Sequence, residues 1–566
     1  MTRSGLIAIL PATLILAASP IALAQAPPDP GAACAFRDID VDAHGRQPFR
    51  NPPVERAQDG RLKTILGVRY TDPAIRLGGC PVRLRTYNGQ LVGPTLRLRP
   101  GDTLDLTLRN ELPQETPAEI ADQIHQEASQ AHIETRPHSF NTTNLHTHGL
   151  HVSPVGNSDN VLLAIHPQSA FPYEIRVPAN HPPGTFWYHA HTHGSTAIQV
   201  GSGMAGALVI EDDESALPPA LREANRREKV FVFQTILYDA QGRADDITAF
   251  FPDSDASRRL CDEGKSGCTW HNSKRRTTIN GQIVPVIEMR PGEVQRWRLI
   301  DSAFRETINV QLEGHSLHEI ALDGLYLGKV DTWSPGQYVA LQPGYRSDVL
   351  VKASSKPGTY RLLDAPSSAG ASLRGVEEPE NLLAEVVVRG APMEMPLPTS
   401  EQMAALAPFP GADLRDKAVG VQEAVFKLGS DLQKEGGRNY FQINYHAFNP
   451  SRIRFLQLGA TDRWTLTTVG DPGQTKGIPP HVFHIHVNPF QATRPDPSGQ
   501  TETVWKDTLL VPGGQSLSIY TRYLDYIGQF VMHCHILDHE DLGMMELVEV
   551  VGERPATSLP AHGPPH

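Results

Sequence analysis

Residues 88–94 read NGQLVGP, and residues 280–285 repeat this pattern as NGQIVP. Each copy is followed by an Arg-Pro-Gly turn and by a segment of alternating apolar and polar residues, at 103–108 and 294–299. Period-two alternation bounded by Gly and Pro indicates a half-buried β-strand. A weaker third copy occupies residues 459–466. The repeat therefore predicts a chain built from three related β domains.

Length and composition agree with this prediction. The chain has 566 residues, which suffices for about two to four domains with real cores. The hydrophobic fraction of 39% and charged fraction of 20% are those of a globular protein, and 47 Gly and 48 Pro suit turn-rich β structure. The formal net charge of −12 argues against a general nucleic-acid partner. We predict an all-β protein with β-sandwich domains at 60–212, 228–392 and 420–553.

Two segments are predicted to be additions to these domains. The Pro/Ala-rich segment 393–419 is predicted to be a long linker that lets the third domain return to the first. Residues 116–135 begin with a Thr-Pro-Ala-Glu capping box followed by apolar residues at helical spacing. This pattern predicts a short helical insert in the first domain.

The first 24 residues have the pattern of a secretory signal peptide. Arg3 supplies a charged start, an apolar run follows over residues 6–16, and Ala-Leu-Ala at 22–24 forms a cleavage site. A membrane anchor is the alternative, but the run is shorter than the ~20 apolar residues of a membrane span. We therefore expect cleavage near Ala24, a periplasmic or secreted protein and no membrane span.

The five cysteines are an odd number for an oxidising compartment. Cys261 and Cys268 are predicted to form a small bridge, and Cys34 with Cys80 would tie the N-terminus to the first domain. Both pairings stay open, because four cysteines allow three connectivities. Cys534 is left over.

Histidines two residues apart form a second pattern. Among 24 histidines about one His-X-His pair is expected by chance, whereas four separate windows of the chain carry this pattern. Residues two apart on a strand share a face, so each pair aims both imidazoles at one place. The aligned positions in the middle domain carry Gln311, Glu313 and Leu363. A single pair is usually an ordinary surface or core feature, but four predict a metal site between the first and third domains. The pairs are His146/His148, His189/His191, His484/His486 and His533/His535.

Cys534 stands between His533 and His535 and predicts a second kind of site. A thiolate with two imidazoles and a weak axial thioether forms a blue-copper electron-transfer centre. The remaining groups of such a centre would be His481, His539 and Met544. Zinc is the alternative, but structural zinc sites normally use paired cysteines at short spacing. Neighbours on a strand point to opposite sides, so a copper on Cys534 would be joined by covalent bonds to metals on His533 and His535.

The four histidine windows resemble the copper-binding motifs of the multicopper oxidases, the family of laccases and ascorbate oxidase, and the resemblance covers residues 60–553. It implies three consecutive cupredoxin-like Greek-key β-sandwich domains and four copper ions. The implied type 1 copper ligands are His481, Cys534 and His539, with Met544 as axial neighbour. The implied type 2 ligands are His146 and His484. The implied type 3 sets are His148, His189 and His535 for one copper, and His191, His486 and His533 for the other. The chain departs from many members in having Pro480 before His481 and Val482 after it.

Two acidic residues near the motifs are candidates for proton supply, since reduction of dioxygen consumes protons. Asp159 resembles an acid near the copper cluster of many laccases, and a turn aspartate is the alternative. Glu540 resembles an acid in spore-coat laccases, and a solvated surface acid is the alternative. His138, His151 and His193 flank the motifs without matching ligand positions, so we expect them to be structural or to orient ligands.

The resemblance implies a laccase-like oxidase that takes single electrons from phenolic or similar aromatic donors and reduces dioxygen to water. The expected partners are dioxygen and a small-molecule or metal-ion donor, and a monomer is expected. The alternative is a periplasmic metallo-oxidase for Cu(I) or Fe(II). Cuprous oxidases often carry methionine-rich inserts, whereas this chain has nine Met and only the small cluster 393–395. A blue-copper nitrite reductase or a copper-free scaffold fits less well, because Cys534 lies in the last domain and every ligand position is filled.

Overall fold

The computed structural model describes residues 41–115, 135, 137–238, 242–244, 276–373, 377–409, 412–429 and 440–553. The predicted signal peptide, the body of the predicted helical insert and the proposed Cys261–Cys268 bridge lie outside these residues. Cys80 is disulfide-bonded, and its predicted partner Cys34 also lies outside them. Within the described residues, no helix is long and apolar enough to cross a membrane.

The first domain consists of two sheets packed face to face. Its helices are α1 (Val41–His44) and α2 (Thr196–Gly201). Its strands are β1 (Val54–Arg56), β2 (Arg61–Tyr70), β3 (Arg76–Leu77), β4 (Cys80–Pro81), β5 (Arg85–Tyr87), β6 (Thr95–Leu98), β7 (Thr103–Asn110), β8 (His146–His148), β9 (Ser169–Arg176), β10 (Gly184–His189) and β11 (Ala205–Ile210). The sheet orders are β1-β6-β11-β10-β8 and β5-β2-β7-β9, with a separate β3-β4 pair. Leu66, Leu106, Phe186 and Leu208 are buried in the core between them.

The middle domain repeats the two-sheet arrangement. It begins with the helix α3 (Pro219–Asn225). Its strands are β12 (Lys229–Gln234), β13 (Thr278–Ile279), β14 (Val286–Met289), β15 (Val294–Asp301), β16 (Ile308–Leu312), β17 (Leu317–Leu322), β18 (Leu325–Trp333), β19 (Val339–Leu341), β20 (Arg346–Lys352), β21 (Gly358–Asp364) and β22 (Asn381–Val388). The sheet orders are β13-β12-β15-β20-β17-β18 and β14-β22-β21-β16-β19.

The third domain has the same strand arrangement as the middle one. Before it lie α4 (Ser400–Ala404) and a 3-10 turn (Arg415–Lys417), and it contains α5 (Leu537–Asp541). Its strands are β23 (Gly420–Gly429), β24 (Tyr440–Ile443), β25 (Ile453–Gln457), β26 (Thr461–Val469), β27 (His481–Ile485), β28 (Phe490–Pro495), β29 (Thr501–Lys506), β30 (Thr508–Val511), β31 (Ser516–Arg522), β32 (Gly528–Cys534) and β33 (Met545–Val551). The sheet orders are β24-β23-β26-β31-β28-β29 and β25-β33-β32-β27-β30. The fold is all-β, with three cupredoxin-like sandwiches, while the boundaries given above stay a prediction.

The two alternating segments of the repeat differ in their burial. The segment at 103–108 lies in β7, where buried and half-buried residues alternate as predicted. The segment at 294–299 lies in β15, where every residue is buried, so the prediction of a half-buried strand is wrong there. Arg296 and Arg298 on this strand pair with acids on the joint to the first domain. Nη1 of Arg296 is 3.0 Å from Asp212, and Nε of Arg298 is 2.5 Å from Glu228.

The Pro/Ala-rich segment between β22 and β23 packs against the domains instead of extending away from them. Thr399 and Gln402 form a capping box at the start of α4. Met395 and Met403 are buried in one apolar cluster with residues of the middle domain. Farther on, the backbone N–H of Leu414 donates to Oε1 of Gln491 in the third domain at 2.8 Å. The segment therefore helps to hold the third domain against the middle one.

Candidate metal centre

The first candidate site lies inside the third domain. His481 begins β27, Cys534 ends β32, and His539 lies in α5. Sγ of Cys534 is 3.6 Å from Nδ1 of His481 and 3.8 Å from Nδ1 of His539, and the two Nδ1 atoms are 3.2 Å apart. Met544 is fully buried beside them, and its carbonyl oxygen accepts the N–H of Cys534 at 3.0 Å. We call His481, Cys534 and His539 the cysteine cluster.

Aromatic rings enclose the cysteine cluster and keep it dry. The Phe441 ring stacks on His539 with centroids 4.2 Å apart, and Phe426 lies 5.8 Å from His481. Burial raises the pKa of the Cys534 thiol to about 12 and lowers the pKa of His481 well below its usual value. Neutral imidazoles are ready metal ligands, and a thiol in such a place needs a bound cation to become a thiolate. One sulfur and two imidazole nitrogens in a dry pocket are the donor set of a blue-copper centre.

The second candidate site consists of eight histidines, none of which is more than 2% exposed. The first domain contributes one half of them from β8, the end of β10 and the residues after it, and the third domain contributes the other half from β27, β32 and the residues after them. Strand pairing places His146 opposite His189 and His484 opposite His533. We call this group the histidine cluster: His146, His148, His189, His191, His484, His486, His533 and His535.

Contacts between ring nitrogens cross the joint between the two domains. Nε2 of His533 is 3.1 Å from Nε2 of His191 across the joint, and it is 3.3 Å from Nε2 of His486 within the third domain. Nδ1 of His148 is 3.2 Å from Nε2 of His535. Sets of three histidines whose ligand atoms all lie within 4.8 Å of one another are His191/His486/His533, His146/His148/His189 and His146/His484/His486, and His148, His484 and Asp507 form a further set.

The histidine cluster fits metal ions on its hydrogen bonding as well. Nε2 of His146, His189 and His484 is buried without a hydrogen-bond partner, which is costly for a polar atom unless something binds it. Burial lowers the pKa of each of these imidazoles, so all three are neutral and present a lone pair. The other ring nitrogen is occupied in each case. Nδ1 of His189 lies 2.9 Å from the Ala190 carbonyl oxygen, and Nδ1 of His484 lies 2.8 Å from that of Asp507.

Asp159 lies in the predicted turn, yet it is buried against the histidine cluster. Its Oδ2 is 3.0 Å from Nδ1 of His146, and its Oδ1 accepts the backbone N–H of Thr147 at 2.8 Å. Burial raises the pKa of its carboxyl to about 7. Asp159 therefore orients His146 from the side opposite the free Nε2 atom.

Glu540 is fully buried, so the alternative of a solvated surface acid is wrong. Its Oε2 is 3.1 Å from Nδ1 of His533, and its Oε1 is 3.5 Å from Nδ1 of His191. Burial alone would raise the pKa of Glu540, but the facing imidazoles outweigh burial and hold it below its usual value. The adjacent Asp541 accepts three backbone N–H groups at the start of α2, which fastens the third domain to the first.

Asp507 contacts the histidine cluster and was not predicted. Its Oδ1 is 3.2 Å from Nε2 of His148, and the Thr508 hydroxyl lies 3.2 Å from the same nitrogen. Burial would raise the pKa of Asp507, but the guanidinium of Arg346 outweighs burial and lowers it. Both contacts join residues far apart in the chain, so no spacing in the sequence signals them.

The three flanking histidines lie apart from the two clusters. Nδ1 of His151 is 2.8 Å from the Val487 carbonyl oxygen, and the rings of His138 and His193 lie edge to face at 6.1 Å. Among the residues that the structure describes, none of the three belongs to a set able to hold a metal ion.

Family models described as "Multicopper oxidase" match residues 124–215, 250–379 and 427–553, which together make up more than half of the chain. The chain belongs to the multicopper oxidase family. It is thus a copper-binding enzyme of the oxidase class, and the family predicted from the histidine windows is confirmed.

Relatives of this multicopper oxidase carry different descriptions. A multicopper oxidase of Staphylococcus aureus is 25% identical over 82% of this chain and 83% of its own length. A laccase of Bacillus subtilis is 24% identical over 83% of this chain and 90% of its own length. A solved multicopper oxidase from Campylobacter jejuni, described as a metallo-oxidase, aligns with a TM-score of 0.67 at 21% identity, covering 91% of this chain and 97% of its own. These likenesses leave the donor open.

Proposed function

We propose that this multicopper oxidase couples one-electron oxidation of phenolic or similar aromatic donors to the four-electron reduction of dioxygen to water. The observation that carries the proposal is the position of Cys534. Its sulfur belongs to the cysteine cluster, while the side chains of His533 and His535 belong to the histidine cluster. One short stretch of backbone therefore links a site suited to accepting single electrons to a site suited to binding several metal ions.

We propose four copper ions with the ligands implied by the family resemblance. The type 1 ligands are His481, Cys534 and His539, with Met544 as axial neighbour. The type 2 ligands are His146 and His484. The type 3 ligands are His148, His189 and His535 for one ion, and His191, His486 and His533 for the other. The distances above support the type 1 set, the His191/His486/His533 set and the pairing of His148 with His535.

Copper, when bound, supplies the one-electron redox chemistry and the binding site for dioxygen. The residues of this chain supply the surroundings. Phe441 and Phe426 keep water away from the cysteine cluster. Asp159, whose pKa is raised to about 7, places a carboxyl beside His146 where it can hold a proton that reduction of dioxygen consumes. Glu540 places a carboxylate beside His191 and His533, where it can accept a proton in passing.

One feature favours an organic donor over a metal ion. Met395 is buried in an apolar cluster and the partly buried Met393 packs against it, so the two do not form an exposed methionine-rich surface. The second candidate, a periplasmic metallo-oxidase for Cu(I) or Fe(II), has the description of the Campylobacter relative in its favour.

The remaining proposals concern the cellular form of the protein. The leader 1–24 would be cleaved near Ala24, and the mature enzyme would act as a monomer in the periplasm or outside the cell.

Oxygen consumption by copper-loaded protein decides between the donors. We expect turnover with a panel of substituted phenols and little or no turnover with Cu(I) or Fe(II), each corrected for its uncatalysed oxidation. Turnover of metal ions without turnover of phenols would establish the metallo-oxidase instead.

A further inference from the structure

The ligands proposed above come from the first and third domains, yet a side chain of the middle domain reaches the histidine cluster. Arg346 begins β20 and is only 1% exposed. We propose that Arg346 is a positioning residue which, through the Asp507 carboxylate, fixes the tautomer and orientation of His148 for copper binding. This inference rests on the proposed role of His148 as a ligand.

Arg346 forms a bidentate ion pair with Asp507. Nη1 donates to Oδ1 at 2.7 Å, and Nη2 donates to Oδ2 at 2.5 Å. The same two nitrogens also donate to the backbone carbonyls of Gly344 at 3.0 Å and Asp323 at 2.8 Å. Because a bidentate pair fixes direction as well as distance, the carboxylate has one orientation available.

The oriented carboxylate determines which nitrogen of His148 carries the proton. A carboxylate can only accept, so the 3.2 Å contact from Oδ1 of Asp507 to Nε2 of His148 requires a proton on Nε2. The lone pair is then on Nδ1, which faces Nε2 of His535 at 3.2 Å. His189 and His484 are held the other way round, with Nδ1 against a carbonyl oxygen and Nε2 free. His148 thus needs a partner of its own, and Asp507 is that partner.

The backbone after His148 is shaped around the same ion pair. Gly149 has φ +88°, and a Cβ atom there would lie 2.3 Å from Nη2 of Arg346 and 2.6 Å from Oδ2 of Asp507. Any side chain at this position would push the pair away from the ligand strand. One residue from each domain therefore meets at a single point: His148 of the first, Arg346 of the middle and Asp507 of the third.

A purely structural ion pair is the competing explanation, and the chain offers a matched control for it. Arg296 is also a fully buried arginine of the middle domain, and it pairs with Asp348 at 2.5 Å and Asp212 at 3.0 Å on the joint to the first domain. Replacing either arginine by lysine keeps the charge and removes the forked geometry. A structural role predicts similar effects of the two replacements.

The test compares Arg346→Lys and Asp507→Asn with Arg296→Lys and the unchanged enzyme. Three quantities are measured: copper bound per protein, visible absorption of the copper–thiolate group, and cooperative thermal unfolding of copper-free protein. We expect Arg346→Lys and Asp507→Asn to bind copper in the histidine cluster roughly 10–100-fold more weakly while the blue absorption per protein is kept. Arg296→Lys should lower the unfolding temperature and keep the full copper content.

Each other result overturns the inference. It fails if Arg346→Lys and Asp507→Asn keep the full copper content, or if they lose blue absorption and cluster copper together. It also fails if both variants no longer unfold cooperatively without copper, because the pair is then structural. An unchanged enzyme that binds copper without blue absorption would instead contradict the proposed type 1 site.

Discussion

The cysteine cluster and the histidine cluster are built in different ways, although they share a strand. The first uses only residues of the third domain, between His481 and His539, and Cys534 and Met544 belong to that domain's apolar core. The second takes half of its histidines from the first domain and half from the third. A site inside one core forms when that core folds, whereas a site on a joint forms only when two domains meet.

The surroundings of the two sites differ accordingly. Phenylalanine rings pack on the cysteine cluster, whereas carboxylates hold the histidine cluster from outside. Asp159, Asp507 and Glu540 each contact a ring nitrogen. At the joint itself, Asp541 binds the start of α2. We therefore expect the metal content of the two sites to respond separately to substitution.

Removal of the thiolate should give the largest effect. Cys534→Ser replaces a soft sulfur ligand by a weak hydroxyl donor, so blue absorption should be abolished and turnover lost. The histidine cluster keeps all its ligands and should still bind copper. Absorption spectra and copper analysis of the purified variant check both statements. A variant that stays blue would contradict the type 1 assignment.

Removal of one cluster histidine from either domain should give the next largest effect. The set around His533 contains one further histidine from each of the two domains. His191→Ala in the first domain and His486→Ala in the third each remove one histidine from this set. Loss of a residue that only hydrogen-bonds to a metal ligand typically weakens metal binding by up to ~100-fold. Each of these variants loses a ligand itself and should therefore weaken copper binding in the histidine cluster by more than that, while the blue absorption is kept.

Dialysis against a copper buffer followed by metal analysis measures this loss. His318→Ala in the middle domain, where Nδ1 lies 3.0 Å from the Thr332 hydroxyl, is the control and should keep its copper. Unequal behaviour of the two cluster variants, with only one of them losing copper, would mean that the cluster does not span the joint as proposed.

A substitution at the joint between the first and middle domains should lower the stability of the protein and leave copper binding at both sites unchanged. Glu228 is paired with Arg97 and Arg298, and these cations outweigh its burial and lower its pKa from 4.5 to about 2. A depressed folded-state pKa contributes stability above pH 4.5 that is lost as the pH falls toward 2. At pH 7 the contribution is about 3 kcal/mol.

Glu228→Gln should therefore lower the urea midpoint of copper-free protein at pH 7, and the gap to the unchanged protein should narrow below pH 4.5. Copper content and blue absorption of the loaded variant should be unchanged. A gap that does not narrow between pH 4.5 and pH 3 would show that the charge of Glu228 is not what stabilises this joint.

The sequence by itself determined the β repeat, the histidine windows and the unpaired Cys534. These features are local: strand alternation and ligand pairs two residues apart follow from the geometry of a single strand. The sequence also shows that Gln311, Glu313 and Leu363 replace the aligned histidines in the middle domain. This replacement predicts that the metal site lies between the first and third domains.

Only the tertiary structure decided which side chains surround those ligands. It buried both faces of β15, placed Glu540 between two histidines, and brought Arg346 and Asp507 to His148. Each of these results depends on contacts between residues in different domains, and the chain places no constraint on their separation in sequence. Charge pairing across a buried joint is set by how the domains meet, so its partners can be found only once the domains are in place.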